Sequence, residues 1–529
     1  MANALGKDNI VAVIGSGAMG GGIAQVAAAA GHQVRLFDND PDAPARAIAA
    51  IGKAFARLVE KGRMGAAEAD LARERLQPMA SLQDAAGSTL VVEAIVENLD
   101  AKRALFAALE GVVGADCILA TNTSSISVTA IAAQLQRPER LVGMHFFNPV
   151  PLMALVEVIS GVATDRRVAD VVAATATAWG KNPVHAQSTP GFIVNRVARP
   201  YYAEALRLLQ EGAADAATLD AVLRDAGGFR MGPFELMDLI GHDVNLSVTR
   251  SVFDAYFGDP RYTPSTLQQE LVNAGYLGRK SGRGFFGYGA DAPAPVAATE
   301  APQPCPQTVR VTHVKDVRAP AFDALHDVLA ARLKASGVAV SHPGLLDGVD
   351  VREAPALHAG GAAIYLTDGR SATQRAFDDG WRDTVLFDLV LDPAKATRIA
   401  LAKADACSEQ AWHAAVGLFQ EAGFAVTRLD DVPGMAVMRT VAMLANEAAD
   451  AVNQGVCSAA AVDIAMQKGV NYPRGPLAWA DAVGLRQVVA VLSNLATAYG
   501  EDRYRVSPLL RRKIAAGAFA AGGEGRFHA

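Results

Sequence analysis

The chain has 529 residues and a net charge of -6, from 49 basic and 55 acidic side chains; 51% of its residues are apolar and 20% are charged. At about 150 residues per domain, this length predicts three or four domains. The composition is that of a soluble globular protein. It argues against a nucleic-acid-binding protein, which would carry a basic excess, and against a disordered scaffold.

Four cysteines, Cys117, Cys305, Cys407 and Cys457, lie far apart in the sequence. No two of them have the spacing of metal ligands, so we expect neither a metal site nor a disulfide framework. Reduced thiols of this kind favour a cytoplasmic location.

The stretch 10–34 has no charged residue and could be mistaken for a signal peptide or a membrane anchor. Six glycines interrupt it and would weaken an apolar helix, whereas a strand, a glycine turn and a helix account for all of them. We therefore expect a soluble protein with no membrane association.

Short strands alternate with helices in the first part of the chain. Residues 10–14 form an apolar run rich in β-branched side chains, which turns at Gly15 into an alanine-rich helix. A second strand is predicted at 33–37, and further apolar runs follow at 90–94 and 117–120. This alternation predicts a Rossmann-type, doubly wound α/β sheet over residues 1–187.

The pattern changes after Pro190. Long amphipathic segments at 192–210 and 217–226 predict an all-α domain over residues 188–289. Prolines and alanines dominate residues 290–307, which have little to bury and are predicted to be a linker.

The second half repeats the first at an offset of 243 residues. The identical pairs include Pro190 and Pro433, Gly191 and Gly434, Arg196 and Arg439, Glu204 and Glu447, and Asp220 and Asp463. The repeat predicts a second all-α domain over residues 431–529. Residues 308–430 would then be a degenerate Rossmann-like α/β domain, whose start has no glycine fingerprint.

A glycine-rich turn follows the first predicted strand. Gly15, Gly17 and Gly20 have the G-x-G-x-x-G spacing, which lets a backbone approach a pyrophosphate at a helix N-terminus. Asp38 closes the second strand, where a carboxylate accepts hydrogen bonds from ribose hydroxyls and repels a 2′-phosphate. The turn therefore predicts NAD, favoured over NADP; the alternative is an unliganded turn with Asp38 as a helix cap.

Residues 144–159 read as a strand, a proline-bounded turn and a second strand. His145 and Glu157 would then face each other across neighbouring strands. A carboxylate beside an imidazole fixes its tautomer and suits it to accept a proton next to a hydride acceptor. Such a pair is also common as a purely structural feature, but the nearby glycine turn favours catalysis.

Polar residues 121–125 follow the apolar run that ends at residue 120, so they are predicted at the carboxyl edge of the sheet, where ligands bind. Their hydroxyls either bind a substrate oxygen or cap the next helix. Asn195 lies in an apolar run where a helix could bring it to the cleft; a buried cap is the alternative.

Lys53, Arg57 and Lys61 are four residues apart and share one face of a predicted helix. Such a stripe either holds the phosphates of a long anionic substrate or is simply a solvated charged face.

Taken together, these motifs resemble the 3-hydroxyacyl-CoA dehydrogenase family. The matching segments are residues 15–20, 92–98, 122–125, 145–149, 188–212, 231–236 and 277–282. The resemblance covers residues 8–289, and the tail repeat resembles the helical domain of the family again.

The resemblance implies roles for the polar residues of the cleft. His145 would be the general base that takes the proton of the 3-hydroxyl, and Glu157 would orient it. Ser124 and Asn195 would hydrogen-bond the substrate oxygen, and Asn148 would help to hold the site.

It also implies binding residues for the cofactor and for CoA. Asp38, Glu97 and Lys102 fall where the family contacts NAD, and Lys61 matches a lysine that contacts CoA. Ala54 stands where some members have a serine.

The two-part length resembles bacterial enzymes of phenylacetate breakdown, which oxidise 3-hydroxyadipyl-CoA, or of 3-hydroxybutyryl-CoA metabolism. At the 243-residue offset, His145 falls on Asp388 and Glu157 on Ala400, so we expect one active site per chain. Because members of the family pair through their helical domains, we expect a homodimer or a pseudo-dimer within one chain.

Two other functions remain open. A 3-hydroxyacid dehydrogenase of the 6-phosphogluconate type has a similar glycine turn but uses a lysine base. A non-catalytic NAD-binding or structural protein derived from the family is the second alternative.

Overall fold

The computed structural model describes residues 3–312, 320–342, 355–517 and 525–528. The chain divides into two compact units. The first contains Met1–Arg196 and Gln454–Asn471, and the second contains Val197–Asn453 and Tyr472–Ala529. Residues 313–319 and 343–354 of the predicted second α/β domain, and 518–524 of the second all-α domain, lie outside the described residues.

An eight-stranded sheet forms the centre of the first unit. Its strands are β1 (Ile10–Ile14), β2 (Gln33–Phe37), β3 (Leu76–Pro78), β4 (Leu90–Glu93), β5 (Ile118–Thr121), β6 (Leu141–Phe146), β7 (Leu155–Ser160) and β8 (Asn182–Gln187). They lie in the order β3-β2-β1-β4-β5-β6-β7-β8. Strands β1 to β6 are parallel, whereas β7 runs antiparallel to β6 and parallel to β8. This confirms the Rossmann-type sheet that the sequence predicted.

Helices accompany these strands. They are α1 (Ala18–Ala30), α2 (Ala43–Glu60), α3 (Ala66–Glu74), α4 (Leu99–Glu110), α5 (Val128–Ala132), α6 (Arg166–Ala178) and α7 (Val194–Val197). Ala24 and Ala27 of α1 are fully buried in the same apolar core as Val13 of β1. Because these side chains are small, α1 packs closely on the sheet, and its N-terminus stands at the carboxyl end of β1.

Helices also make up the region that was predicted to be all-α. They are α8 (Arg199–Gln210), α9 (Ala216–Asp225), α10 (Pro233–Ile240), α11 (His242–Ala255) and α12 (Thr266–Asn273). Isolated bridges join Gly278, Arg283 and Gly287 near the end of the region, where the sequence has a strand-like run.

A second, mixed sheet lies in the second unit. Its strands are β9 (Thr308–Val311), β10 (Ala339–Ser341), β11 (Leu357–Ala359), β12 (Ala362–Leu366), β13 (Thr384–Phe387), β14 (Arg398–Lys403) and β15 (Ala425–Arg428), in the order β10-β9-β11-β12-β13-β14-β15. The remaining helices are α13 (Pro320–Ala335), α14 (Ala372–Asp379), α15 (Glu409–Glu421), α16 (Val437–Asn453), α17 (Ala459–Gly469), α18 (Pro476–Val483), α19 (Leu485–Tyr499) and α20 (Pro508–Gly517).

The 243-residue repeat extends into this second sheet. Strand β14 begins and ends 243 residues after β7, and α15 does the same after α6. Strands β13 and β15 begin 243 residues after β6 and β8. Few residues are identical here, so the positions of the elements, rather than their sequences, establish the alignment.

The predicted linker, residues 290–307, has neither helix nor strand, but it is packed along the second sheet. The backbone N–H of Glu300 donates to the carbonyl of Val426 at 2.8 Å, and that of Gln303 donates to Gln420 Oε1 at 2.8 Å. A Cβ on Gly417 would lie 2.3 Å from the carbonyl oxygen of Pro304. These contacts are mostly made by the backbone, which is why composition alone did not indicate them.

The two helical repeats pack against each other within the second unit, where α8 contacts α16. Their buried glutamates are bonded reciprocally. Tyr504 donates to Glu204 at 3.0 Å, and Tyr262 donates to Glu447 at 2.6 Å. Arg439 adds a 2.7 Å bond to Glu204. The repeated helices therefore form an internal pair.

Helix α17 belongs to the second helical repeat by sequence, yet it packs against β7 and β8 in the first unit. The compact units therefore differ from the predicted domain boundaries. Within the described ranges, the structure shows no helix that is long and apolar enough to cross a membrane.

Candidate active site

The glycine-rich turn joins β1 to α1. Gly15 has a φ of +105°, and a Cβ on it would lie 2.4 Å from the carbonyl oxygen of Ala94. A Cβ on Gly20 would lie 1.8 Å from the carbonyl oxygen of Gly15, whereas a Cβ on Gly17 would have no atom within 4 Å. The fold itself therefore requires Gly15 and Gly20. Gly17 instead borders open space at the N-terminus of α1, which fits a pyrophosphate.

Asp38 lies directly after β2 and beside this turn. Its Oδ2 accepts a hydrogen bond from the backbone N–H of Ser16 at 2.7 Å, and its Oδ1 accepts one from the N–H of Asp40 at 3.2 Å. The carboxylate is therefore held next to the space that Gly17 leaves open. A negative charge there fits a free ribose and disfavours a 2′-phosphate.

Glu97 connects the segments that follow β4 and β5. Its Oε1 accepts hydrogen bonds from Thr123 Oγ1 at 2.7 Å and from the backbone N–H of Ser124 at 2.9 Å. Burial acts to raise the pKa of Glu97, but the hydrogen bond from Thr123 and the charge of Lys102 outweigh it, so the pKa lies below its usual value. Glu97 is therefore ionised at neutral pH and orders the loop that carries Ser124.

Lys102 is buried, and its ammonium group lies between two carboxylates. The Nζ atom is 2.5 Å from Glu93 Oε1 and 3.3 Å from Glu97 Oε2. Glu93 is fully buried at the end of β4 and also accepts a 2.6 Å bond from Thr121 Oγ1. Glu93 lies in the segment 92–98 that matches the family, but no spacing in the sequence indicates its pairing with Lys102. The ion pair with Lys102 therefore helps to hold the Glu97 carboxylate in place.

His145 and Glu157 are directly paired across β6 and β7, as their spacing predicted. His145 Nδ1 lies 2.7 Å from Glu157 Oε2. Because a carboxylate only accepts, Nδ1 carries the proton and donates it; in the neutral imidazole this leaves the lone pair on Nε2.

The carboxylate of Glu157 is anchored a second time at the start of α7. Its Oε1 accepts from the backbone N–H groups of Ile193 at 3.1 Å and Val194 at 2.9 Å. Phe192, just before them, adopts a φ of +47°, which is rare for a side chain of this size. The strained turn therefore presents two amides to the buried carboxylate.

Ser124 and Asn195 lie together in the same unit. Asn195 Nδ2 donates to the carbonyl oxygen of Ser124 at 3.3 Å, and the Ser124 hydroxyl is 3.3 Å from Glu97 Oε1. The neighbouring Asn122, which sequence reasoning did not single out, accepts from the backbone N–H of Phe146 at 2.8 Å. This bond joins the serine loop to the strand that carries His145.

Asn148 and Lys61 lie at the surface. Asn148 is exposed in the turn after β6, where it precedes the cis peptide bond to Pro149. Lys61 is exposed at the end of α2, and Lys53 and Arg57 are exposed on that helix. The structure thus leaves the basic stripe accessible, and its role in binding CoA stays a prediction.

The second half has a different arrangement at the equivalent positions. Asp388, which aligns with His145, is fully buried and accepts from the N–H groups of Ala436, Val437 and Met438 at 2.7–2.9 Å. Ala400 aligns with Glu157. The start of the second helical repeat is therefore still bonded to a carboxylate, but without a histidine between the strands.

Family models match most of the chain. The NAD binding domain of 3-hydroxyacyl-CoA dehydrogenase matches residues 10–189, and the C-terminal domain of the same enzyme matches residues 191–288 and again 434–528. A third model, the reduced Rossmann-fold domain of 3-hydroxybutyryl-CoA dehydrogenase, matches residues 364–433. The chain belongs to the 3-hydroxyacyl-CoA dehydrogenase family.

The chain is similar both to relatives of about its own length and to relatives of about half its length. The chain is 43% identical over 503 residues to 3-hydroxyadipyl-CoA dehydrogenase of Escherichia coli K12, covering 95% of this chain and 97% of that protein. It is 40% identical over 284 residues to human mitochondrial hydroxyacyl-coenzyme A dehydrogenase, covering 53% of this chain and 90% of that protein.

A crystal structure of 3-hydroxybutyryl-CoA dehydrogenase from E. coli K12 superposes with a TM-score of 0.84 at 41% identity, covering 96% of this chain and 98% of that one. These matches confirm the predicted fold, the NAD cofactor and the reaction class. The chain is an NAD-dependent dehydrogenase of 3-hydroxyacyl-CoA thioesters.

Proposed function

We propose that the enzyme oxidises the 3-hydroxyl group of a (3S)-3-hydroxyacyl-CoA to a ketone, with His145 as the general base. The observation that carries this proposal is the 2.7 Å bond from His145 Nδ1 to Glu157, which leaves Nε2 to take the hydroxyl proton. Bound NAD supplies the acceptor for the hydride that leaves C3. Glu157 holds the ring in one tautomer and stabilises its protonated form.

In this proposal, four other residues bind and orient the acyl-CoA substrate. Ser124 and Asn195, which the structure brings together, hydrogen-bond the oxygen on C3. Asn148 helps to hold the site from the turn beyond His145, and Lys61 contacts a phosphate of CoA.

The cofactor is held by the turn between β1 and α1. Gly15, Gly17 and Gly20 admit the pyrophosphate, and Asp38 accepts from the ribose hydroxyls. Glu97 completes the pocket, with Lys102 fixing its position.

The substrate is 3-hydroxyadipyl-CoA or 3-hydroxybutyryl-CoA. The first is supported by the name of the relative that matches 95% of the chain, and the second by the name of the structure that matches 96% of it. The first substrate would place the enzyme in phenylacetate degradation. A cytoplasmic location, which free cysteines favour, is part of the same proposal.

The test is NADH oxidation by the purified protein with 3-oxoadipyl-CoA and acetoacetyl-CoA in parallel, followed as loss of nicotinamide absorbance. A preference for 3-oxoadipyl-CoA supports the dicarboxylate substrate, and a preference for acetoacetyl-CoA supports the short-chain one. Turnover of neither, with NADH or NADPH, would contradict the proposal and favour a non-catalytic NAD-binding protein.

A further inference from the structure

Residues 454–471 of the duplicated half lie against the edge of the first sheet. Strand β8 is the last in the sheet order, and the backbone N–H of Gln187 at its end donates to the carbonyl of Val456 at 2.9 Å. Arg196 Nη1 donates to Gln454 Oε1 at 2.9 Å. Helix α17 then packs across β7 and β8. A segment far away in sequence is thus fixed to the catalytic strand and its neighbour.

Helix α17 touches both structures that hold the catalytic carboxylate. Leu155 lies two residues before Glu157 in β7, so its side chain leaves the sheet on the same face. A Cβ on Gly469, the last residue of α17, would lie 2.6 Å from Leu155 Cδ2 and 3.1 Å from Val194 Cγ2. Val194 is the residue whose N–H donates to Glu157 Oε1 at 2.9 Å. Gly469 therefore borders the strand and the helix start that position Glu157.

Cys457, which lies in this segment, is affected by the charge on Glu157. Burial raises the pKa of the Cys457 thiol to about 12, and the negative charge of Glu157 acts in the same direction, whereas Arg196 acts to lower it. Cys457 thus lies within reach of the charge on Glu157.

The first repeat shows that this helix position does not itself need a glycine. Ala226, 243 residues before Gly469, directly follows the equivalent helix α9 and caps its C-terminus. Helix α9 packs on β14, the counterpart of β7, and the carbonyl of Ala226 accepts from the N–H of Leu391 at 3.1 Å. The helix that packs on the strand of Glu157 therefore has glycine at this position. The equivalent helix in the other half, where the His145–Glu157 pair is absent, has alanine with its methyl group.

We propose that α17, supplied by the duplicated half, is a positioning element of the active site, and that Gly469 is the residue that sets its fit against the strand carrying Glu157. This inference rests on the proposed catalytic roles of His145 and Glu157. The duplicated half thereby contributes to catalysis although it lacks a histidine–glutamate pair of its own.

The test compares Gly469→Val with Ala460→Val in the full-length enzyme. Both variants add a β-branched side chain to α17, but Ala460 is exposed whereas Gly469 is buried. We expect Gly469→Val to lower kcat by about 10-fold to 100-fold, because small displacements of catalytic groups are costly. The Kd for NADH should stay within twofold of wild type, since the glycine turn is untouched. Ala460→Val should match wild type in kcat and in the Kd for NADH.

Two further variants separate positioning from loss of folding. Gly469→Ala adds one methyl group and should lower kcat less than valine does, with the melting temperature near that of wild type. Leu155→Ala removes the side chain that a new Cβ would meet, so it should restore part of kcat when combined with Gly469→Val. This rescue should occur even though Leu155→Ala alone leaves a cavity.

The outcomes distinguish this inference from the proposed function. An inactive wild-type enzyme would overturn the proposed function. An active wild type with unchanged kcat in both Gly469 variants would overturn the positioning role alone. A loss of kcat that follows the melting temperature, weakens NADH binding equally and is not rescued by Leu155→Ala would also overturn it.

Discussion

Glu157 is a buried carboxylate that the chain surrounds with donors. Removing a carboxylate from water costs several kcal/mol unless it is paired and hydrogen-bonded. Here His145 and the N–H groups of Ile193 and Val194 all donate to it. The same contacts that make its burial tolerable also hold the imidazole ring in a single orientation. In the proposed mechanism, structure and catalysis therefore depend on the same charge.

Replacing Glu157 with Gln tests the contribution of that charge. The amide oxygen still accepts one or two hydrogen bonds, so we expect a folded protein that binds NADH normally. The neutral amide stabilises a protonated imidazole far less well, so kcat should fall by about 100-fold or more. Steady-state kinetics, with the melting temperature and NADH affinity as controls, measure this; a kcat within twofold of wild type would refute the assigned role.

Gly17→Ala and Gly20→Ala test the glycine turn as a matched pair. A Cβ on Gly17 meets nothing within 4 Å, so this variant should keep the melting temperature and raise the Kd for NADH. A Cβ on Gly20 would lie 1.8 Å from a backbone oxygen, so Gly20→Ala should lower the free energy of unfolding by about 1–3 kcal/mol. Equal effects of both on stability would contradict this interpretation of the turn.

At the scale of elements, the start of each helical repeat needs a carboxylate. Both starts contain a non-glycine residue at positive φ, Phe192 in one repeat and Met435 in the other. Glu157 supplies the acceptor from β7 in the first half, whereas Asp388, just after β13, supplies it in the second. The shorter side chain comes from the position that holds His145 in the first half. The two halves therefore differ at this position in a linked way: the residue aligned with His145 is itself the carboxylate that binds the helix start.

Asp388→Ala should destabilise the protein and spare catalysis. It would leave the N–H groups of Ala436, Val437 and Met438 without their carboxylate acceptor. Since each buried donor left unsatisfied costs about 1–3 kcal/mol, we expect a clear drop in urea resistance. Asp388→Asn, which keeps one acceptor oxygen, should lower the resistance to urea by less than Asp388→Ala does. A fully stable Asp388→Ala variant would contradict this account.

Asp220 predicts a dependence of stability on pH. It accepts from the N–H groups of Phe234 and Glu235 at the start of α10, and burial raises its pKa to about 7, against the opposing effect of these two bonds. Because the folded protein then holds this proton more tightly than the unfolded chain, the stabilisation is present below pH 4 and is lost as the pH rises through about 7.

Urea unfolding at pH 4 to 8 measures this effect in wild type and in Asp220→Asn. The difference in unfolding free energy between the two should change over this range, with wild type losing stability relative to the variant as the pH rises. A constant difference would show that Asp220 has the same pKa in both states.

Much of the first sheet could be predicted from the sequence. Residues 10–14 were predicted as a strand with the observed bounds, because a buried strand reads as a continuous apolar run between turn residues. The pairing of His145 with Glu157 followed because a proline-bounded turn between two strands predicts an antiparallel pair, in which residues on either side of the turn face each other.

Other features could not be predicted, for physical reasons. An apolar helix face shows that α17 is buried but not which sheet covers it. The charged residues of the helix that carries Lys102 do not indicate that this lysine is buried. Its ion pair with Glu93 becomes visible only in the folded structure. Asn122 acts through a single bond to the backbone of Phe146, which no spacing indicates.

At the scale of the molecule, the two helical repeats make reciprocal contacts with each other inside the chain. Glu204 of the first repeat accepts hydrogen bonds from Tyr504 and Arg439 of the second. Glu447 of the second repeat accepts hydrogen bonds from Tyr262 and Arg261 of the first. Tyr262 and Tyr504 are equivalent residues of the two repeats, as are Glu204 and Glu447. We infer that a second copy of the first half could form the same reciprocal tyrosine–glutamate bonds.

A chain ending at Tyr288 should therefore form a homodimer. A relative that matches 53% of this chain over 90% of its own length shows that a half-length form exists in the family. Analytical ultracentrifugation measures the association, and Glu204→Ala in the shortened chain, which removes a central acceptor, should weaken it. A shortened chain that stays monomeric and fully active would refute the internal pairing as a substitute for a dimer.

The central claim is that His145 is the proton acceptor of an NAD-dependent dehydrogenase, and turnover by His145→Gln tests it most directly. With the better of 3-oxoadipyl-CoA and acetoacetyl-CoA, kcat should fall by about 10²-fold to 10⁴-fold, the usual contribution of a general base. The Kd for NADH should remain that of wild type. A His145→Gln enzyme that turns over at the wild-type rate would contradict the account.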